Sequence, residues 1–282
     1  MAKQNAVKVG KVTFSNDGPL AYIVGPCVIE TARSYEAEAV KLKEVFAALK
    51  TPFVLKASFD KANRTSHSAF RGIGMQAALD FLKELKNRLG LPLLVDVHEP
   101  SQAASVAGAA DILQVPAFMC RQTDLLYACA DTGRAVNVKK GQFLSPWEAE
   151  NIVRKLENRG AAGIMLTERG SSFGYGNLVV DMRSLEIMKD FGYPVIFDCT
   201  HSVQRPGGLG NATGGDRRFI LPLAKAAASQ RIAGLFFEAH PNPAKALSDG
   251  PNSLRLAAVK PAVAALNRVD RLATEIAGVG SN

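Results

Sequence analysis

The stretch Lys56-Ala57-Ser58-Phe59-Asp60-Lys61-Ala62-Asn63-Arg64-Thr65-Ser66 places three cations, an amide and three hydroxyls directly behind the apolar run Pro52-Phe53-Val54-Leu55. Lysine supplies a point charge, and arginine a planar fork that matches phosphate or carboxylate. Hydroxyls and the amide complete the hydrogen bonding of an anion's oxygens. The chemistry offered is anion binding. A basic loop taken alone is more often simply solvated, so its meaning depends on which other reactive residues the fold brings beside it.

The elements that could do so follow from hydrophobic periodicity. Strand-length apolar runs at Leu20 to Val24, Pro52 to Leu55, Leu91 to Val97, Asp111 to Val115, Ala135 to Lys139, Ala162 to Thr167, Pro194 to Asp198 and Gly234 to Glu238 predict eight strands. Helical patterns follow them, the first over Thr31 to Lys50 with Tyr35, Ala39, Leu42, Phe46 and Leu49 on one face, the second over Gly74 to Leu89. Others are expected after Pro100, over Thr123 to Asp131, and near Met182 to Asp190, Arg217 to Gln230 and Ser253 to Ala277. One opens at Ser145-Pro146-Trp147-Glu148, a capping box with proline at the first helical position. Eight strand-helix units over residues 1–282 predict one α/β domain, a (β/α)8 TIM barrel, preceded by a short hairpin at about 7–17. A doubly wound sheet is the alternative.

A barrel places its active site just after the strands. Those positions carry Cys27; the Lys56 to Ser66 stretch; Asp96, His98 and Glu99; Gln114, Ala117, Phe118 and Arg121; Lys139 and Lys140; Glu168 and Arg169; Asp198, Thr200, His201, Gln204 and Arg205; and Glu238, His240 and Asp249. Such a concentration of charge has no structural purpose and turns the basic loop into one wall of a site. Lys56, Lys61, Arg64, Arg121, Lys139 and Arg169 could hold more than one anionic group. Cys27, His201, Glu238 and Asp249 offer mixed sulfur, nitrogen and oxygen donors to one divalent cation, a set that suits zinc, iron or manganese better than calcium or magnesium. Singly, Cys27 would more often be a buried thiol and Asp249 a turn residue.

Several features have plainer readings. Gly72-Ile73-Gly74-Met75-Gln76-Ala77 imitates a dinucleotide-binding pattern but follows a polar loop rather than a strand. His67 is expected in solvent and Cys129 in a helix core, while His98 and His240 are supporting or structural. Glycine-rich loops at Gly170 to Gly176 and Gly207 to Gly210 could cradle phosphate, the second as a lid.

Composition narrows the class. With 47% apolar and 21% charged residues the 282-residue chain is that of a globular protein, and it shows neither a membrane-length apolar run nor the start of a signal peptide. A cytoplasmic location, without membrane attachment, is expected. Four cysteines without a CxxC pair argue for free thiols or a metal ligand rather than a disulfide framework. The formal charge of +8 lacks the long basic tracts and interleaved aromatics of a nucleic-acid binder, so small anionic substrates are expected.

Seven stretches carry a resemblance: GPCVIE from Gly25, KASFDKANRTS from Lys56, QVPAFMCRQTD from Gln114, NVKKGQF from Asn137, TERGSSFGYGNLVVD from Thr167, DCTHSVQRPGG from Asp198 and EAHPNPAKALSDGP from Glu238. Over nearly its whole length the chain resembles the 3-deoxy-D-manno-octulosonate 8-phosphate synthase family. The sister 3-deoxy-heptulosonate 7-phosphate synthases, which use erythrose 4-phosphate, carry a Lys-Pro-Arg-Thr type run where this chain has KANR. The resemblance implies a homotetrameric barrel enzyme that joins phosphoenolpyruvate to arabinose 5-phosphate on the way to the Kdo sugar of lipopolysaccharide. It further implies phosphoenolpyruvate held by Lys61, Gln114, Ala117, Lys139 and Arg169, with Lys56 and Ser58 on the same side. Arabinose 5-phosphate would meet Asn63, Arg64, Thr65, Ser66, Gln204 and a neighbouring subunit's Arg121. Thr65 stands where the family usually has serine. Catalytic roles fall to Lys61, Lys139, His201 and Asp249. Cysteine after Gly-Pro goes with the metal-dependent members, which implies one divalent ion per subunit on Cys27, His201, Glu238 and Asp249. A non-catalytic anion-binding barrel is the reading from outside the enzymes.

Overall fold

The structure, a computed structural model, describes residues 3–208 and 213–277. Eight strands alternate with helices: β1 Ala21–Gly25, β2 Phe53–Ala57, β3 Leu93–Asp96, β4 Ile112–Val115, β5 Ala135–Lys139, β6 Ile164–Glu168, β7 Val195–Asp198 and β8 Gly234–His240. Each pairs in parallel with the next, and β8 returns to β1 through Gly234↔Ala21 to Glu238↔Gly25, which closes a (β/α)8 barrel. The intervening helices are α1 Ala32–Ala48, α2 Met75–Leu89, α3 Ala103–Ala107, α4 Thr123–Ala130, α5 Ala149–Asn158, α6 Arg183–Lys189, α7 Ile220–Ala228 and α8 Leu256–Glu275. The doubly wound alternative is excluded by the closure.

Strand parity divides the core in two. Residues of one parity, such as Phe53, Leu55, Leu93, Val95, Phe197 and Leu235, face the helices. Those of the other, Ile23, Val54, Leu94, Ile112, Met165, Ile196 and Phe236, fill the barrel interior. The antiparallel hairpin Val7–Val9 with Val12–Phe14 extends this inner cluster and seals the barrel where the strands begin, with Val7, Val9, Val12 and Phe14 buried. Because all strands run the same way, apolar inward residues come first and polar ones last. Lys56, Asp96, Gln114, Lys139, Thr167, Asp198 and Glu238 therefore form the opposite, open end. Gly25 belongs to this layer, and a Cβ there would stand 2.0 Å from the Lys56 carbonyl oxygen, so only glycine permits the strands to meet.

The expected elements are all present, with boundaries shifted by a few residues. The largest shift is at Ser145. Glu148 does reach back to the Ser145 backbone N–H at 2.8 Å, but residues 146–148 form turns and the regular helix begins only at Ala149.

Glu38, on the buried face of α1, leaves Oε2 without a hydrogen-bond partner among the described residues. Burial, followed by the charge of Glu30, pushes its carboxyl up to about 8. A carboxyl that holds its proton in the fold but loses it near 4.5 when unfolded stabilises the protein at low pH. That contribution disappears as pH rises through about 8. Glu38→Gln should therefore melt higher than the parent at pH 8.5, by roughly 3 °C or more, with the difference closing toward pH 5. Equal differences at both pH values in thermal melts would show that Glu38 does not titrate this way.

Candidate active site

The polar ends of the strands surround a cavity of about 210 Å³. It is lined by Lys61, Asn63, Arg64 and Thr65 from the loop after β2, Asp96 and His98 from β3, and Gln114 and Ala117 from β4. Lys139 and Gln142 come from β5, Arg169 from β6, His201 and Gln204 from β7, and Glu238 and Asp249 from β8 and its loop. A buried amide ladder supports the floor, with Asn137 Nδ2 donating to Gln114 Oε1 at 3.1 Å and Thr167 Oγ1 to Asn137 Oδ1 at 2.7 Å.

Charges in this cavity are mostly paired. Lys61 Nζ lies 3.5 Å from Asp96 Oδ2, and Lys139 Nζ 2.5 Å from Asp198 Oδ2. Burial works against both charges of each pair, yet the Asp96 and Asp198 carboxyls are held well below the usual range by the neighbouring cations. Lys61 is pulled down by burial and pushed up further by Asp96 and other anions, so it stays a firm cation. Lys139 differs: burial outweighs Asp198 and lowers its pKa. Its ammonium also sits 3.6 Å above the ring of Phe236 in the inner core, a cation-π platform. Arg169 is 5% exposed and is held by neutral oxygens, Gln142 Oε1 at 2.9 Å, His201 O at 3.1 Å and Gln204 Oε1. A buried guanidinium with neutral partners has charge left for an anion.

Beside the cations lies a donor cluster. Ligand atoms of Cys27, Glu238 and Asp249 are all within 4.8 Å of one another, and Cys27 Sγ is 3.2 Å from Asp249 Oδ2. His201 Nε2 lies 3.3 Å from Glu238 Oε2, while its Nδ1 meets Asp198 Oδ2 at 2.7 Å. With Nδ1 engaged by a carboxylate, Nε2 is the nitrogen presented to the cluster. Burial pushes the Cys27 thiol up, reinforced by Glu238. A buried thiol between two carboxylates has little reason to ionise until a cation arrives. The sulfur and carboxylate donors of Cys27, Glu238 and Asp249, brought together from distant parts of the chain, suit a divalent transition metal, while the expected fourth ligand, His201, stands next to Glu238 but outside that close group.

Most residues expected from the sequence meet in this one cavity, but some do not. Lys56 is 1% exposed, with Nζ taken up by Cys27 O at 2.5 Å, Glu238 Oε1 at 2.7 Å and Pro26 O at 3.0 Å. It stands beneath the cavity lining and braces two of the candidate metal ligands. Ser58 Oγ is likewise spent on Asp60 O and Asp96 Oδ2, each at 2.9 Å. Ser66 bonds Ser68 in the loop, and Arg121 is exposed outside the lining. The suggested lid falls partly on residues 209–212, outside the described residues. His98 proves to line the cavity and to pair with Asp96, whereas His240 pairs with Glu30. Asp96, Gln142 and Asp198 were not among the assigned site residues; the signal for two of them was a carboxylate at the last inward position of a strand.

Comparison with known proteins shows which sequences this chain is similar to. The profile of the DAHP synthetase I family matches residues 2–274. Two curated relatives, both called 2-dehydro-3-deoxyphosphooctonate aldolase, are similar over most of their length. One, from Brucella ovis, is 52% identical over 269 residues, covering 95% of this chain and 97% of its own. The other, from Fusobacterium nucleatum, is 53% identical over 252 residues, covering 89% and 91%. With its closed barrel, KANR loop and paired lysines, the chain belongs to the DAHP synthetase I family.

Proposed function

We propose that this chain is an enzyme condensing phosphoenolpyruvate with D-arabinose 5-phosphate and water to give 3-deoxy-D-manno-octulosonate 8-phosphate and inorganic phosphate. The observation that carries this is the meeting of Lys61, Asn63 and Arg64 with Lys139 and Arg169 around one cavity, in a chain 52% identical to proteins of the corresponding name. The KANR run favours the eight-carbon product over that of the sister synthases.

C3 of the enol phosphate attacks the sugar aldehyde, water adds at C2, and the hemiketal phosphate collapses with cleavage of its C–O bond to release phosphate. Lys61, Lys139 and Arg169 neutralise the phosphate and carboxylate of phosphoenolpyruvate, with Gln114 and the Ala117 backbone completing the grip. Charge compensation of this kind needs no imine. Developing positive charge at C2 is met by the carboxylates beside these cations, and His201 and Asp249 line the same cavity to hold or move protons. Asn63, Arg64, Thr65 and Gln204, which line the cavity, take the sugar phosphate, and Ser66 would join them by giving up its bond to Ser68. One divalent ion on Cys27, His201, Glu238 and Asp249 would polarise oxygen and acidify water when bound.

Arg121 would act from a neighbouring subunit of a homotetramer. Exposed Phe118, Phe143, Trp147, Phe173 and Tyr175, on the loops after β4, β5 and β6, support an assembly through that rim. Among the described residues no helix is long and apolar enough to cross a membrane, and two phosphorylated substrates suit an enzyme of the cytoplasm.

Phosphate release from phosphoenolpyruvate should occur with arabinose 5-phosphate and not with erythrose 4-phosphate. Release with erythrose 4-phosphate alone would move the chain to the sister activity. No release with either sugar would favour an anion-binding barrel.

A further inference from the structure

Lys140 lies beside the cavity without lining it, and its ammonium has an unusual environment. The residue is 1% exposed. Nζ stands 3.0 Å from Leu144 O, 3.2 Å from Gly141 O, 3.2 Å from Ser171 Oγ and 3.5 Å from Gly170 O. The Glu168 carboxylate is farther away, at 3.7 Å. A buried cation held mainly by neutral oxygens gains less than a close ion pair would provide, so it marks a place where the backbone is being gathered.

The oxygens come from two loops. Gly141 and Leu144 belong to the turn after β5, and Gly170 and Ser171 to the turn after β6. Glu168 Oε1 draws in the Gly170 backbone N–H from the other side, and Ser172 N–H donates to Gln142 O at 2.8 Å. Between the two anchored turns sit Gln142 and Arg169, whose side chains meet at 2.9 Å.

We propose that Lys140 is a positioning residue for phosphoenolpyruvate binding: by tying the two turns together it holds Gln142 against Arg169 and aims the guanidinium, an inference that rests on the placing of phosphoenolpyruvate at Arg169. Arabinose 5-phosphate is held mainly at Asn63 and Arg64, on the loop after β2, and reaches these turns only through Gln204, whose amide oxygen accepts from Arg169. Lys140 should therefore affect one substrate and spare the other.

Lys140→Met keeps the length of the stem and removes the charge and its donors. In the intact enzyme it should raise KM for phosphoenolpyruvate by about tenfold, since a hydrogen bond network to a charged group is loosened. KM for arabinose 5-phosphate should stay within about twofold. Gln142→Leu should raise the same constant, and the double variant should cost clearly less than the product of the two single effects. Multiplicative single effects, or an equal rise in both Michaelis constants, would reduce Lys140 to a structural anchor and overturn the proposal. If Lys140→Met does not fold, Lys140→Gln, which retains a donor, is measured in its place with the same criteria. Arg169→Lys serves as reference: if it raises KM for phosphoenolpyruvate and the Lys140 variant does not, the positioning role fails alone. If Arg169→Lys itself leaves that constant unchanged, the assignment of Arg169 fails.

Discussion

Cys27→Ala is expected to lose at least about a hundredfold in kcat, in parallel with loss of bound divalent metal, and chelation of the parent protein should do the same. The expectation follows from the position of the thiol. Cys27 Sγ is 3.2 Å from Asp249 Oδ2 and belongs to the same cluster as Glu238. Glu238 is itself held well below the usual carboxylate range: burial pushes it up, but His201 and Lys56 outweigh that effect. Removing the sulfur would leave carboxylates and one imidazole, a weaker set for a borderline-soft ion. Metal content by mass spectrometry and phosphate release are the two measurements. A Cys27→Ala protein that keeps both its metal and its activity would remove Cys27 from the ligand set, and full activity in exhaustively chelated parent would remove the metal from the reaction.

Lys139→Met should reduce kcat/KM for phosphoenolpyruvate by about a thousandfold, the scale seen when a preorganised charge is removed from a dry site. It should also destabilise the fold, because the buried Asp198 would lose its lysine and keep only His201 and the Thr200 and His201 donors. The two effects can be separated. Lys139→Met with Asp198→Asn removes the stranded carboxylate and should recover much of the stability, as read from denaturant melts. Activity should remain lost, since the missing element is positive charge facing the enol phosphate. If the double variant regained activity, Lys139 would only be neutralising Asp198, and the phosphoenolpyruvate contact would have to be reassigned.

Lys56 and Lys61 show how far local sequence reaches. Both are lysines in the same basic stretch, and both suggest an anion. Parity along β2 turns Lys56 inward under the cavity, where Glu238, 182 residues later in the chain, takes its charge. Lys61 lies past the strand end and lines the cavity beside Asp96. A local pattern cannot distinguish them, because what decides is which carboxylate closes over each after the barrel forms. Asp198 makes the same point. Its strand-end position is legible, and His201 is only three residues further on, but its engagement of Lys139 depends on β5 and β7 flanking β6 in the closed barrel with both side chains turned inward.

Periodicity and strand-end chemistry determined much by themselves: eight alternating units, a barrel, a basic mouth and a set of candidate metal donors. Those properties are legible because side-chain direction in a strand alternates by a fixed geometric rule, and because residue type sets charge and donor chemistry. Tertiary structure alone decided which cations remain free for substrate, which nitrogen of His201 faces the cluster, and that Lys140 gathers two loops. Each depends on distances between residues far apart in sequence, and electrostatic and hydrogen-bond energies change over ångströms that only the closed barrel sets.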